Sequence, residues 1–322
     1  MRIGFRRQAT LLLGLLWTAA AGQPLRAQLT GPLVVYNAGS LAAPFRDLLN
    51  AFVARNPGVV PAQENSGSVE AARKLTELGK IPDVIGVADY GVIPKLLIPK
   101  FAGWYVTFAR NAMVVVYSDQ SIGASEITPQ NWWQVLLRPE VRTGRADPAL
   151  DPNGYRTLMV LQLAEKFYQQ PGLAARLVAA MPPRYMRPKE ADLTALIQAG
   201  ELDYSFSYYS LAKSAHLRFV DLPPEVDLSD PARAEWYSQA DVWIPKGGGS
   251  ADSVEFRGEP IVYALSIPLA APHPEVAAAF VEFALSPDGR AIIEHSGLVP
   301  LARPLAGGPS APPAGVAALL GP

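Results

Sequence analysis

The chain has 322 residues, 49% of them hydrophobic and 18% charged, with a formal net charge of −1. That is enough for one large domain or two lobes with cores of their own, and it excludes a disordered chain and a nucleic-acid binder with a basic stripe. There is no cysteine, which excludes disulfides, thiolate metal sites, cysteine nucleophiles and lipid attachment at a cysteine.

The chain opens with MRIGFRRQATLLLGLLWTAAAGQPLRAQ: Arg2, Arg6 and Arg7, then an apolar core from Leu11 to Ala21, then small residues near Ala21 and Ala27. Residues 1–27 therefore read as a secretory signal peptide too short to span a bilayer, and the mature protein is expected in the periplasm. The Arg6–Arg7 pair allows the twin-arginine route as well as the general secretory one.

LVVYN (Leu33–Asn37) predicts a buried strand, AGS a loop, and the spacing of Phe45, Leu48, Leu49 and Phe52 a helix ending before Asn56–Pro57, with Pro44 in its first turn. The unit recurs. Val59–Val60 start an extended piece, NSGS (65–68) is a loop, and VEAARKLTEL is a helix capped by Ser68 and stopped by Gly79. DVIGVA (83–88) predicts another strand. FARNAMVVVYS (108–118) is a long β-prone run that would pass from one lobe to the other. Helices follow in NWWQVLLRPEV and over 155–168, 173–181 and 190–199, with strands over 203–209 and 217–223 and a flexible loop at 245–253. EPIVYALSIP (259–268) would be the return crossing. Two helices come next, the first with Val276, Phe280 and Phe283 on one face, and a Pro/Gly/Ala-rich tail (306–322) is expected to be frayed. Alternating strands and helices predict an α/β fold with a largely parallel sheet. Two crossings predict two lobes, residues 28–112 with 265–305 and residues 113–264, and a cleft between them is where a ligand binds.

The Gly39–Ser40 and Gly67–Ser68 junctions each stand between a strand and a helix. Glycine lets the backbone approach a ligand, serine adds a hydroxyl, and the helix start offers free N–H groups, which together would make a cup for an oxyanion. Each junction alone reads as a turn and a cap, and neither matches a nucleotide-binding loop. Asp151, in DPALDPNGYR, has an ordinary reading as an Asx-turn or helix cap, and Glu190, in RPKEADLTALI, as a favourable charge at a helix start; Asp147 is read as structural. His216, His273 and His295 have no metal-site spacing, and no GxSxG elbow is present. Trp104, Tyr105, Trp132, Trp133 and Tyr155 read as core or lobe surface, and Arg110 and Arg156 as structural ion pairs before anion contacts. Tyr208 reads as a strand-end tyrosine presenting its hydroxyl to a cleft.

Taken in order, NAGSL, SGSVEAARKL, ADYGVIPKLL with PKFAGWYVTFARNAMVVVYS, DPNGYRTLMVLQLAEKFY and RPKEADLTALIQAGELDYSFSYYS closely resemble the archaeal-type molybdate/tungstate-binding proteins of ABC importers, from about residue 33 to about residue 300. The resemblance implies a type II periplasmic binding protein fold, with two α/β lobes, hinge strands and an anion in the cleft. It implies that Gly39, Ser40, Ser68 and Tyr208 hold the oxyanion with the turn Asp151, Pro152 and Asn153, and that Asp151 and Glu190 approach the molybdenum or tungsten itself, raising its oxygen neighbours from four to six. Asn153 departs from the cysteine that many relatives carry there, and the segment between Met181 and Glu190 is shorter than in many of them. No cofactor, no nucleic acid and no enzymatic activity are implied; the partners are molybdate or tungstate and the membrane permease and ATPase of an importer, and a monomer is expected. A receptor for sulfate or phosphate, an exported glycosidase using Asp151 and Glu190, and a ligand-free interaction module remain the alternatives.

Overall fold

Thr30–Ala38 is apolar enough to be covered on both faces, and it pairs in parallel with Gly58–Ser66 on one side and Val84–Val87 on the other. In this computed structural model, which describes residues 29–247 and 251–320, these strands open the larger of two main sheets. The expected signal peptide (1–27) lies outside the described residues, as do 248–250 in the 245–253 loop. The larger sheet continues from Val84–Val87 through Val262–Ser266 to Tyr105–Arg110 and Val299–Pro300, with Ala306–Gly307 also on Tyr105–Arg110. The helix Ala42–Arg55 buries Phe45, Leu48, Leu49 and Phe52, as its spacing predicts, and Phe52 meets Phe280 of the helix Pro274–Leu285 edge-on at 5.6 Å.

The second sheet runs Met186–Arg187, Thr143–Ala146, Tyr204–Tyr208, Met113–Tyr117, Arg218–Asp221. Its inner strand Met113–Tyr117, next to the edge strand, is buried on both faces. Val114 and Val116 pack with Leu193 and Ile197 of the helix Glu190–Gln198, while Val115 joins the main core that includes the helix Pro152–Phe167.

Five expectations are corrected. The sheets are mixed: Val262–Ser266 runs antiparallel to both its neighbours, as does Met113–Tyr117, because strands that return from the other lobe enter from the opposite end. The run 108–118 is two strands in two sheets, Tyr105–Arg110 and Met113–Tyr117, broken at Asn111–Ala112. The Asn111 side chain holds the break: its amide nitrogen donates to Ser210 Oγ (2.8 Å) and Tyr263 OH (3.0 Å), and its oxygen accepts from Ala112 N (3.0 Å). The return strand Val262–Ser266 lies wholly in the first sheet, so the lobe boundary expected at 264/265 falls before it, where Ile261 N donates to Leu228 O. Ser68 is not a cap, since its Oγ accepts from Ala88 N at 3.0 Å and Gly67 occupies the cap position. The tail is not frayed through residue 320: Ala306–Gly307 pair with Val106 and Tyr105, and the short helix Ala314–Ala317 buries Val316 and sets Gly315 against Glu282. A hairpin, Asp241–Pro245 with Ser253–Arg257, was not expected; beside its strand ends Lys246 N donates to Asp252 O.

The lobes meet at the two Gly-Ser junctions. Gly39 faces Ala191, whose Cβ lies 3.6 Å from the Cβ that a side chain at 39 would carry. At Gly67 the approach is tighter: an added Cβ would sit 2.2 Å from Leu150 O, and Glu70 N donates to that same carbonyl across the interface at 3.1 Å. Gly67 has φ −63 and ψ 147, so alanine fits its backbone and clashes only with the opposite lobe. Gly67→Ala is therefore expected to wedge the lobes apart, enlarging the radius of gyration in small-angle scattering while leaving the circular dichroism spectrum unchanged. An unaltered scattering curve would refute this account of the interface.

Candidate functional site

The sequence-predicted residues converge where four helix starts face each other across the interface. Gly39 and Ser40 precede the helix Ala42–Arg55, and Ser68 begins Ser68–Leu78. Asp151, Pro152 and Asn153 begin Pro152–Phe167, Glu190 begins Glu190–Gln198, and Tyr208 ends the strand Tyr204–Tyr208. All eight are buried. The N–H groups of Ser68 and Val69 have no intrahelical partner, so this helix start offers donors toward the interface.

Asp151 serves the ordinary role and a second one. Its Oδ1 caps the helix by accepting from Asn153 N at 2.9 Å, and its Oδ2 accepts from Glu190 N at 3.0 Å, tying two helix starts of the second lobe together. Glu190 Oε1 accepts short hydrogen bonds from Ser207 Oγ and Tyr208 N. Gly154 follows the turn: a Cβ there would lie 2.6 Å from Ala146 O, so only glycine lets the 146–148 backbone press on the helix. Asp147 is structural as read, accepting from Ala149 N at 2.8 Å.

Burial dominates the electrostatics. It pushes the Asp151 carboxyl up to about 6 against the hydrogen bonds it accepts, and it pushes Glu190 well above its ordinary value, with the Asp151 charge adding to the rise. Arg156 opposes both shifts, and it also opposes the burial that raises Tyr208. Arg156 is itself buried, in an ion pair with Asp89 at 3.1 Å, which bears out the structural reading of this arginine.

Asn111, Tyr263 and Ser207 were missed. Tyr263 OH shares a hydrogen bond of 2.9 Å with Ser40 Oγ and accepts from Asn111, and its ring meets that of Tyr208 at 5.9 Å, so it joins the two lobes at the cleft. The available signal was a polar residue inside an apolar β-run, Asn111 in FARNAMVVVYS and Tyr263 in EPIVYALSIP. Asn153 Oδ1 is buried with no hydrogen-bond partner, and its Nδ2 meets only Met113 Sδ, at 4.0 Å. Among the described residues no three acidic, histidine or cysteine side chains cluster as a metal cage. His273 lies apart, against Asp83 at 3.1 Å. The arrangement offers hydroxyls, helix N–H groups and two carboxylates.

A family model described as bacterial extracellular solute-binding protein matches residues 33–299. An uncharacterized solute-binding protein of Petrotoga mobilis is 44% identical over 269 residues, 84% of each chain. The molybdate/tungstate-binding protein WtpA of Pyrococcus abyssi is 33% identical over 323 residues, 92% of each chain. Among solved structures, the periplasmic molybdate-binding protein of Azotobacter vinelandii superposes with a TM-score of 0.60 at 17% identity, covering 83% of this chain and 98% of that one, which shows the two-lobed periplasmic binding protein fold. With two lobes closed over a buried polar cleft and a family match across most of its length, this chain belongs to the bacterial extracellular solute-binding proteins.

Proposed function

We propose that the protein captures molybdate or tungstate in its inter-lobe cleft, in the periplasm and as a monomer, and delivers it to the permease and ATPase of an ABC importer. The observation that carries this reading is the pair of buried carboxylates, Asp151 and Glu190, the first accepting from the backbone N–H of the second, set among hydroxyls and helix N–H groups. Ser40, Ser68 and the free N–H groups suit the oxygens of a tetrahedral dianion. Carboxylates repel such a dianion, so a sulfate or phosphate site gains nothing from two of them. A high-valent molybdenum or tungsten is a hard centre that accepts carboxylate oxygen, and two such oxygens complete six around an atom that brings four. Among the described residues no third acid joins the two, and two are too few for a cage around a bare hard cation. The buried amide of Asn153 gives a further donor once its two end atoms are exchanged, since their assignment follows the hydrogen-bond network. The relative named for molybdate and tungstate supports the same reading.

Glu190→Gln keeps both hydrogen bonds accepted at Oε1, and Asp151→Asn keeps the cap on Asn153 N while giving up the acceptor for Glu190 N; each removes one charge. Each is expected to weaken tungstate and molybdate binding by about 100-fold or more, as loss of a close charged partner does, while any sulfate binding changes by less than about threefold or tightens. Calorimetry on the three oxyanions reads this directly. Equal losses for tungstate and sulfate, or no heat with tungstate or molybdate in the unsubstituted protein, would defeat the proposal.

The pH dependence has a definite sign. The folded-state value of Asp151, about 6, lies above its ordinary 3.8. The folded chain therefore holds a proton that the unfolded chain has released. The contribution of this group to ligand-free stability is full below about pH 4 and is lost as pH rises through about 6, by at most ~3 kcal/mol. A ligand whose central atom takes the ionised carboxylates restores that loss. The tungstate-induced rise in Tm should grow from pH 5 to pH 7, and Asp151→Asn should reduce that growth. A rise that shrinks over this range would mean that protonated carboxyls donate to the oxyanion instead.

A further inference from the structure

The interface holds a buried ion pair that the site residues do not account for. Asp89 follows the strand Val84–Val87 of the first lobe, and Arg156 lies in the helix Pro152–Phe167 of the second. Arg156 Nη2 meets Asp89 Oδ2 at 3.1 Å, with side-chain exposures of 2% and 4%. Arg156 Nη1 donates to Ala88 O at 2.7 Å and to Tyr208 OH at 2.9 Å. One guanidinium thus hydrogen-bonds a carbonyl of the opposite lobe and the cleft tyrosine of its own, and lies in ion-pair contact with the opposite lobe's carboxylate. Tyr155 OH donates to the same Asp89 oxygen at 2.6 Å, and Gly91 N donates to the other at 2.8 Å, so the carboxylate is fixed from both sides. Tyr155 in turn stacks on Phe256 of the hairpin at 4.6 Å, and Lys95 Nζ lies over the Phe256 ring at 4.3 Å.

Separation of the lobes would return both charges to water, and closing them removes that water. A buried pair so formed adds little net stability, but deleting one partner leaves the other charge buried and uncompensated, which the closed arrangement tolerates poorly. The forked geometry of arginine is needed as well, because a lysine ammonium does not reach Asp89, Ala88 and Tyr208 together in the same planar arrangement.

We propose that Asp89 and Arg156 form the latch that holds the lobes closed, and that Arg156, once latched, is the positioning residue that fixes the Tyr208 hydroxyl and sets a positive charge beside Asp151 and Glu190. The kinetic part of this proposal rests on the oxyanion reading; the structural part does not.

The test compares Asp89→Asn, Arg156→Gln, Arg156→Lys, Tyr155→Phe and the Asp89→Asn/Arg156→Gln double variant with the unsubstituted protein. Tungstate release is followed by stopped flow, and ligand-free shape by small-angle scattering. Asp89→Asn is nearly isosteric: its one amide oxygen still accepts from Gly91 N and its amide nitrogen donates to the Tyr155 hydroxyl, so the end that faces Arg156 loses its charge. It is expected to speed release by about tenfold to 100-fold, with association changed less than about threefold, since the latch acts after encounter. Arg156→Lys should restore part of the slow release, Tyr155→Phe should change it less than about threefold, and the double variant should lose less than the product of its two single losses. Unchanged release in Asp89→Asn, independent losses in the double variant, or a Tyr155→Phe effect as large as that of Asp89→Asn would overturn the latch. If tungstate gives no heat with the unsubstituted protein, the oxyanion reading fails and scattering alone decides the latch: a larger ligand-free radius of gyration in Asp89→Asn supports it, and superimposable curves overturn it.

Discussion

Two carboxylates held out of water constrain the rest of this molecule. An ionised acid in a protein interior needs hydrogen bonds and compensating charge, or it takes up a proton. Asp151 and Glu190 receive four hydrogen bonds between them, three from backbone N–H groups and one from a serine. Three of these donors stand at or beside a helix start, where the macrodipole also favours a negative charge. The second lobe supplies that whole arrangement, and the first lobe closes it with two Gly-Ser junctions. The repulsion left over after these contacts is what a high-valent centre could relieve and what a plain dianion could not.

Much of the first lobe was legible because its signals are local. The strand Thr30–Ala38, the helix faces built on Phe45 and Phe280, and the helix stop at Gly79 follow from periodicity and from glycine's left-handed backbone, φ 63 in this case. The same holds for the helix that begins at Pro152. The break at Asn111 was not legible, since FARNAMVVVYS is β-prone throughout and only the neighbouring lobes decide where one strand becomes two. The Asp241–Arg257 hairpin has the alternation of a strand, with Val242 and Ile244 inward and Trp243 outward, but five residues either side of a glycine-rich loop are a weak signal.

For the site, the residues taken singly pointed to caps and turns, and the structure shows that Asp151 is indeed a cap. Its second role appears only when residues far apart in sequence meet, as Asp151 and Glu190 do. The resemblance to a family selected these acids; their spacing alone would not have done so. Asn111 and Tyr263 escaped because each sits in a strand whose other residues are core, and the hydroxyl contact between Tyr263 and Ser40 links positions that no short-range pattern can connect. Ser68 was placed correctly at a helix start but given the wrong partner, because Ala88 N, which its hydroxyl serves, comes from a different strand end.

The order of the larger sheet has a consequence for biosynthesis. Val262–Ser266 is inserted between Val84–Val87 and Tyr105–Arg110, and Val299–Pro300 and Ala306–Gly307 complete the same edge. Val84–Val87 and Tyr105–Arg110 therefore wait for the strand that joins them while the whole of the second sheet emerges from the ribosome. That sheet draws all its strands from residues 113–221 and can assemble on its own contacts. Nascent chains of this protein consequently spend most of translation with the larger sheet in two unjoined pieces.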